Sequence, residues 1–324
     1  MSLENLGLSD IYQARERIRG TAVHTQLMPS PSLSEKFGAD VRLKLEMQQP
    51  IGAFKIRGAA NKLASMSEAE RARGVVTVST GNHGRAVAYA AKMHGVRAVI
   101  CMSTLVPQNK KQAIARLGAE IKIHGKTQDE AEILANELVR DEGLIMVHPF
   151  DDPFVMCGQG TIGLELIEDM PEIEQVVVPL SGAGLLGGIS MALKAIKPSI
   201  RTIGVSMERG AVMIESLEAG KPIEVEELPT LADSLGGGIG LDNEYTFKAV
   251  QKYVDETYRV SEEEIEAGLR HLYFEERVVA EGGSSVGIAA VLAKKLDLKN
   301  KATAFIISGN NIDMQKHASI MAKG

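Results

Sequence analysis

One lysine in the sequence has a setting that could make it chemically reactive. Lys55 lies in the mostly apolar segment 52–59, where a helix-like stretch opens. Burial and the positive end of a helix dipole both disfavour the charged ammonium, so they lower the pKa of a lysine placed there. A neutral amine can attack a carbonyl and form a Schiff base. The alternative is an ordinary solvated lysine, which is the commoner case for any single lysine.

A cluster of small polar residues follows the predicted strand Val75–Ser79. It reads Ser79-Thr80-Gly81-Asn82-His83-Gly84-Arg85 and leads into a predicted helix. Hydroxyls and free N–H groups at a helix start bind anions, so this loop suits a carboxylate. Asn82 also offers an amide donor that could bind a phenolic oxygen. The alternative is a plain helix N-cap, for which Ser, Thr and Asn are the usual residues.

A Gly-rich loop follows the predicted strand 176–180 and precedes another helix. Its glycines allow backbone N–H groups to approach an anion closely, which indicates a phosphate cradle. The same residues also fit the dinucleotide pattern Gly182-x-Gly184-x-x-Gly187, with Glu208 placed where a ribose-binding acid belongs. A third alternative is a tight turn that only serves helix packing. Three hypotheses therefore remain open for this segment.

The elements that would carry these loops alternate between short apolar strands and amphipathic helices. This alternation predicts an α/β fold with mainly parallel sheets covered on both faces. Ligands bind such sheets at the carboxyl ends of the strands, where the three loops lie. The predicted strands are 41–45, 75–79, 98–102, 120–123, 176–180, 202–206 and 303–308, and the predicted helices are 85–94, 110–117, 128–141, 185–195, 262–276 and 286–295.

Composition excludes several classes of protein. The 324 residues are 44% hydrophobic and 24% charged, with a net charge of −6 and no basic block, so a nucleic-acid partner is not expected. No run of eighteen apolar residues is present, so no membrane partner is expected either. The two cysteines predict a reducing, cytoplasmic location. Without an HExxH or CxxC pattern, no metal site is expected.

Five motifs in this order resemble one family. The sequence is similar to the threonine dehydratase and serine racemase group of fold-type II enzymes that depend on pyridoxal 5′-phosphate (PLP). Within that group it most resembles the dehydratases of hydroxyectoine utilisation, through segments 206–210 and 231–240. The five motifs are Gly52-Ala53-Phe54-Lys55, Ser79 to Gly84, His148-Pro149-Phe150-Asp151-Asp152-Pro153, the Gly-rich loop, and Ser308-Gly309-Asn310-Asn311-Ile312-Asp313.

The resemblance implies a two-lobed architecture like that of the tryptophan synthase β subunit. A large PLP-binding domain would comprise residues 1–52 and 152–324, and a small domain residues 53–151. We also expect a homo-oligomer, either a dimer or a tetramer. In serine racemases acidic residues bind a divalent cation where Ser206 and Val212 stand here, so metal activation is not expected.

The resemblance also assigns roles to individual residues. Lys55 would hold the cofactor as a Schiff base and move the α-proton of the substrate, and Thr80 would be the second catalytic residue. The expected cofactor-binding residues are Phe54, Lys55, Asn82, Gly182, Ala183, Gly184, Leu185, Glu281 and Ser308. The expected substrate-binding residues are Ser79, Thr80, Gly81, Asn82, His83 and Gly237.

The reaction implied by the resemblance is the loss of water and then ammonia from a small β-hydroxy amino acid, which leaves a keto acid. Racemisation or β-replacement is the alternative within the family, and an NAD-dependent dehydrogenase or a non-catalytic binding protein is the alternative outside it. Gly236, Gly237 and Gly238 stand where serine racemases have bulkier residues. They predict a substrate larger than serine or threonine, such as a hydroxy amino acid derived from hydroxyectoine, unless the glycines only permit a turn.

Overall fold

The computed structural model describes residues 2–79, 81–106, 108–126 and 128–323. Its strands are β1 (Leu27–Pro29), β2 (Val41–Leu45), β3 (Val75–Val78), β4 (Ala98–Met102), β5 (Glu120–Ile123), β6 (Ile145–Met146), β7 (Gln175–Pro179), β8 (Arg201–Met207), β9 (Glu256–Val260) and β10 (Thr303–Ile307). Its α-helices are α1 (Leu8–Arg17), α2 (Pro31–Phe37), α3 (Lys55–Ser65), α4 (Glu68–Arg73), α5 (Asn82–His94), α6 (Gln108–Ala115), α7 (Gln128–Glu142), α8 (Pro153–Asp169), α9 (Gly184–Ile196), α10 (Val212–Ala219), α11 (Thr246–Tyr253), α12 (Glu262–Phe274), α13 (Gly282–Leu292) and α14 (Met314–Met321).

The strands form two sheets. The larger has the order β1-β2-β10-β7-β8-β9, in which only the β1–β2 pair is antiparallel. The smaller has the order β5-β4-β3-β6 and is parallel throughout. The predicted α/β class with mainly parallel sheets is therefore confirmed. The strands of the smaller sheet lie between residues 75 and 146, but the domain boundaries at residues 53 and 151 stay a prediction.

The predicted strands and helices all correspond to elements of the structure. Strands β4, β7 and β10 are buried at every residue, as expected for strands that helices cover on both faces. The prediction did not include the strands β1, β6 and β9 or the helices α1, α2, α4, α10, α11 and α14. It also lacked α8, which is buried on nearly all sides from Pro153 to Leu166 and therefore has no polar face to give a helical period.

A buried group of charges fixes the start of α3. Arg57, which is only 1% exposed, donates to Glu46 at 2.8 Å and to Glu165 at 2.6 Å. Lys44 lies 2.7 Å from the other oxygen of Glu165. Removing one member of such a group would leave a buried charge without its partner, which is strongly unfavourable. The group therefore holds α3 in one position against β2 and α8, and with it Lys55, the first residue of α3.

Candidate active site

Lys55 lies at the point where several loops meet. Its ammonium donates a hydrogen bond to the carbonyl oxygen of Pro149 at 2.7 Å and lies 5.3 Å from the ring centre of Phe54. Burial lowers the pKa of Lys55 from its ordinary value of 10.5 to about 8, although the negative charge of Glu281 opposes this shift. The sequence-based expectation of a lysine with a depressed pKa therefore agrees with the geometry of the site.

The depressed pKa gives a measurable reactivity profile. We expect the amine of Lys55 in cofactor-free protein to be acetylated at half its maximal rate near pH 8, because the ammonium form below that pH does not react and the neutral amine above it does. Mass spectrometry of a digest after a pulse of acetic anhydride measures this rate. The exposed Lys92 provides an internal reference in the same digest. Superimposable pH profiles for the two lysines would contradict the prediction.

The polar cluster after β3 brings the strand end close to the start of α5. The N–H of Gly81 donates to Oγ of Ser79 at 3.3 Å, and α5 begins at Asn82 without a side-chain cap among the described residues. A Cβ atom at Gly84 would lie 2.4 Å from the carbonyl oxygen of Ser79, so only glycine allows this close approach of strand and helix. Thr80, the predicted second catalytic residue, lies outside the described residues.

His83 is neutral in this setting. Its Nε2 lies 2.9 Å from the carbonyl oxygen of Val147, and that acceptor requires the proton on Nε2. Its Nδ1 is buried and has no hydrogen-bond partner within the described part of the chain. Burial, with a further contribution from the charge of Lys55, lowers the pKa of His83 to about 3. The imidazole therefore presents an acceptor and not a positive charge.

The Gly-rich loop forms a narrow, buried cradle. A Cβ atom at Gly182 would lie 2.4 Å from the ring of Phe150, and one at Gly184 would lie 3.0 Å from the same residue. Ala183 adopts a left-handed conformation with φ of 63° and leads directly into α9. No side chain of the described residues caps α9, so the N–H groups of Gly184 and Leu185 are left for a ligand.

Ser308 belongs to a buried hydroxyl pair at the end of β10. Its Oγ lies 2.9 Å from Oγ of Ser284, which also contacts the backbone of Gly309 at 2.8 Å. The same strand end supports the lysine segment, because the N–H of Phe54 donates to the carbonyl oxygen of Ser308 at 3.0 Å. The end of β10 therefore holds both Ser308 and the segment that carries Lys55.

Glu281 contacts Asn82 across the site. The amide of Asn82 donates to Oε1 of Glu281 at 2.8 Å, and the N–H of Asn311 donates to the other oxygen at 3.0 Å. Burial raises the pKa of Glu281, and these hydrogen bonds oppose the shift. The amide side chain of Asn311 donates to Oδ1 of Asn82 at 2.5 Å, so it fixes which end of the Asn82 amide carries the donors. One N–H of Asn82 remains for another acceptor.

Some residues around the site carried no signal of their own in the sequence. The segment 148–152 contacts Lys55 through Pro149 and the Gly-rich loop through Phe150, although sequence reasoning gave it no role. Arg85 donates to Asn311, which brings the first turn of α5 against the loop after β10. Only the resemblance pointed to the segment 148–152.

The family of the chain follows from comparison with known proteins. The profile of the family described as "Pyridoxal-phosphate dependent enzyme" matches residues 18–309. The chain belongs to this family. An L-threonine ammonia-lyase of Thermotoga maritima is 45% identical over 98% of this chain and 78% of its own length. The catabolic L-threonine dehydratase TdcB of Escherichia coli K12 is 38% identical over 97% of this chain and 96% of its own. The structure of maize serine racemase, 32% identical, superposes with a TM-score of 0.91 over 98% of this chain and 97% of that one.

The site fits the cofactor of this PLP-dependent family. Lys55 offers an amine, and the uncapped, buried start of α9 offers N–H donors that suit a phosphate. The predicted cofactor and fold class are thereby confirmed. The dinucleotide hypothesis for the Gly-rich loop is not supported, and Glu208, its proposed ribose ligand, forms an ion pair with Lys295 at 3.1 Å.

The comparisons establish the family of this PLP-dependent enzyme but not its individual residue roles, assembly or location. The roles of individual residues, the homo-oligomeric state and the cytoplasmic location stay predictions. In the described ranges, no helix is long and apolar enough to cross a membrane. Within the same ranges, no group of three or more His, Cys, Asp and Glu side chains is arranged to hold a metal ion.

Proposed function

We propose that this PLP-dependent enzyme is an ammonia-lyase that converts a β-hydroxy amino acid into a keto acid and ammonia. The observation that carries the proposal is the position of Lys55, whose amine has a depressed pKa and whose charge acts on His83 of the polar cluster. The amine also contacts Pro149, and the next residue, Phe150, packs against the Gly-rich loop. The relatives named L-threonine ammonia-lyase and L-threonine dehydratase support the same reaction class.

In this proposal one lysine and one loop of the chain handle the substrate. Lys55 holds the cofactor, and its amine then takes the proton from the α-carbon of the bound amino acid. The loop from Ser79 to His83, with the N–H groups at the start of α5, holds the substrate carboxylate. PLP supplies the electron sink that makes this α-proton removable. Because His83 is neutral, it adds no competing positive charge beside the lysine.

Other residues would hold the cofactor in place. The N–H groups of residues 182–185 would bind its phosphate, and the free N–H of Asn82 would bind its phenolic oxygen. Ser308 would contact the ring nitrogen with a hydroxyl. A hydroxyl does not keep that nitrogen protonated as a carboxylate would, which favours elimination of the β-group. Glu281 would act through Asn82, whose amide it orients from the other side.

A product assay tests the proposed reaction. We expect incubation with a series of L-β-hydroxy amino acids, including L-serine and L-threonine, to release keto acid and ammonia in equal amounts. Chiral chromatography of the remaining amino acid measures racemisation, which the similarity to maize serine racemase makes the second candidate. Formation of the D-enantiomer faster than keto acid would favour the racemase and contradict the lyase proposal.

We further propose that the substrate is larger than serine or threonine, as a hydroxy amino acid derived from hydroxyectoine would be. Gly237 has a φ of +101°, so its glycine is explained by the backbone turn. Gly238 needs no such conformation, and an added Cβ atom would meet no described atom within 4 Å. Neither a positive φ nor contact with neighbouring atoms requires glycine at the exposed position 238. This supports the proposal that the glycine leaves room for a ligand.

Filling this space should change substrate preference. We expect Gly238→Thr to lower kcat/KM for the longest accepted β-hydroxy amino acid by about 10- to 100-fold more than for L-serine, because the added side chain occupies the room that the longer substrate needs. Gly7→Thr is the matched control, since Gly7 also has open space around its Cβ position but is the N-cap residue of α1. A wild-type enzyme that uses L-serine or L-threonine at least as efficiently as every longer substrate would refute the proposal.

A further inference from the structure

Five consecutive residues connect the lysine to the rest of the site. The segment 148–152 follows β6 and accepts the hydrogen bond from Lys55 through the carbonyl oxygen of Pro149. Nδ1 of His148 accepts hydrogen bonds from the N–H groups of Phe150 at 3.3 Å and Asp151 at 2.7 Å, which gives the segment a fixed bend. The side chain of Asp151 makes its hydrogen bonds outside this segment.

Asp151 binds a segment more than ninety residues away in the sequence. Its Oδ2 accepts a hydrogen bond from the N–H of Glu244 at 2.7 Å. Its Oδ1 accepts from the N–H groups of Tyr245 and Thr246, both at 2.8 Å. Three backbone donors on one carboxylate are charge-assisted hydrogen bonds, the stronger kind. The carboxylate therefore fixes the backbone immediately before α11.

Asn243 extends this anchor into the loop that contains the glycines. Its amide donates to the carbonyl oxygen of Ile239 at 2.9 Å, while its Oδ1 accepts from the N–H of Phe247 at 2.8 Å. Residues 239 and 243–247 are thus held as one unit. Asp151 is the point at which this unit is attached to the lysine segment.

The loop 236–240 is tied at both ends to predicted ligand-binding elements. At its first end, the hydroxyl of Ser234 hydrogen-bonds to Glu281. At its other end, the buried Ile239 packs in the same apolar cluster as Ala183 and Leu185 of the Gly-rich loop. The residues between these ends, including the exposed Gly238, therefore connect Glu281 of the site with the apolar cluster around the Gly-rich loop.

We infer that Asp151 is a positioning residue that sets substrate affinity and preference by holding the loop 236–246 against the site. It does not line the space around Gly238, and it acts through the backbone of residues 244–246 and through Asn243. The inference rests on the proposed function, because the substrate is taken to lie beside this loop. The carboxylate holds this loop in one conformation before the substrate binds. Without the carboxylate, substrate binding must also order the loop, which lowers the affinity for the substrate.

The test is Asp151→Asn, which keeps the size of the side chain. One carboxylate oxygen becomes an NH₂ group, which cannot accept a hydrogen bond from the backbone donors. We expect KM for the preferred β-hydroxy amino acid to rise about tenfold, while kcat stays within about threefold and the cofactor is retained, as uniform loss of binding would give. Hydrogen exchange should accelerate in residues 236–246 and stay unchanged in α3 and α8.

Two further variants separate positioning from general destabilisation. Asn243→Ala removes the second link of the anchor and should give the same rise in KM and the same local exchange. Ser67→Ala is the control, because it also removes a side-chain acceptor from a backbone N–H, that of Glu70 at the start of α4. It should leave KM and the exchange of residues 236–246 unchanged.

The outcomes are distinct from those of the proposed function. Exchange that accelerates throughout the chain, or KM and local exchange that both match the wild type, would overturn the role of Asp151. A wild-type enzyme that releases keto acid from no β-hydroxy amino acid would refute the proposed function instead. In that case the hydrogen exchange of residues 236–246 in Asp151→Asn still decides whether Asp151 holds the loop.

Discussion

Replacing Lys55 with alanine is expected to lower kcat/KM for the preferred amino acid by at least about 1,000-fold, or about 4 kcal/mol of transition-state stabilisation. The amine has two tasks in the proposed reaction, because it attaches the cofactor and moves the α-proton. Burial lowers the pKa of Lys55 to about 8, so a usable fraction of the amine is neutral near physiological pH. Steady-state release of keto acid measures the loss.

Chemical labelling identifies the lysine independently of turnover. Borohydride reduction of the wild-type holoenzyme, followed by peptide mapping, should place a pyridoxyl group on Lys55 and not on the neighbouring Lys44 or Lys62. Lys92→Gln, on the exposed last turn of α5, is the control and should keep both the label and the activity. A pyridoxyl group on any other lysine would contradict the assignment.

Replacing Ala183 with aspartate is expected to abolish retention of PLP, with a loss of affinity of at least about 100-fold. The carboxylate would lie beside the bound phosphate at the buried start of α9, and two like charges held close together repel each other strongly. The left-handed backbone of Ala183 is not the reason, because aspartate tolerates this conformation better than most residues. Equilibrium dialysis against PLP measures the affinity.

A neutral side chain of the same shape isolates the effect of charge. Ala183→Asn has nearly the size of the aspartate variant and also tolerates a positive φ, so any loss of affinity that it shows comes from steric crowding. We expect it to bind PLP within about tenfold of the wild type, and Ala183→Gly to bind at least as well, since glycine adopts a φ of 63° without strain. Equal losses for asparagine and aspartate would rule out the electrostatic explanation.

Local sequence patterns predicted the parts of the site that depend on short segments. The apolar runs that became β3, β7 and β10 lead into the Ser79–His83 loop, the Gly-rich loop and Ser308, so strand direction placed each of them at the carboxyl edge of its own sheet. That the edges of the two sheets meet did not follow from the sequence pattern. The requirement for glycine at position 182 was also visible as a Gly-rich turn. The structure adds its specific cause, the ring of Phe150.

Contacts between distant segments could not be predicted in this way. Asp151 reads as one acid among the 42 acidic residues of the chain until it is seen to accept from residues 244–246. Likewise, the ion pairs of Arg57 with Glu46 and Glu165 join three elements whose local periods say nothing about each other. The resemblance marked the motif that contains Asp151 but not Arg57, and the physical task of each residue depends on tertiary contacts.

The order of strands in the larger sheet has a consequence for how the protein is made. β10 lies between β2 and β7, and its residues 303–307 pair with residues 41–45. On the ribosome, β2 and β7 therefore have no strand between them until residue 307 has been synthesised and released from the exit tunnel. The smaller sheet needs nothing beyond residue 146 and can form much earlier. From the synthesis of β7 until β10 is released, the nascent chain can therefore hold one complete sheet while the edges of β2 and β7 stay exposed. Exposed strand edges of this kind are prone to aggregation, which chaperones prevent.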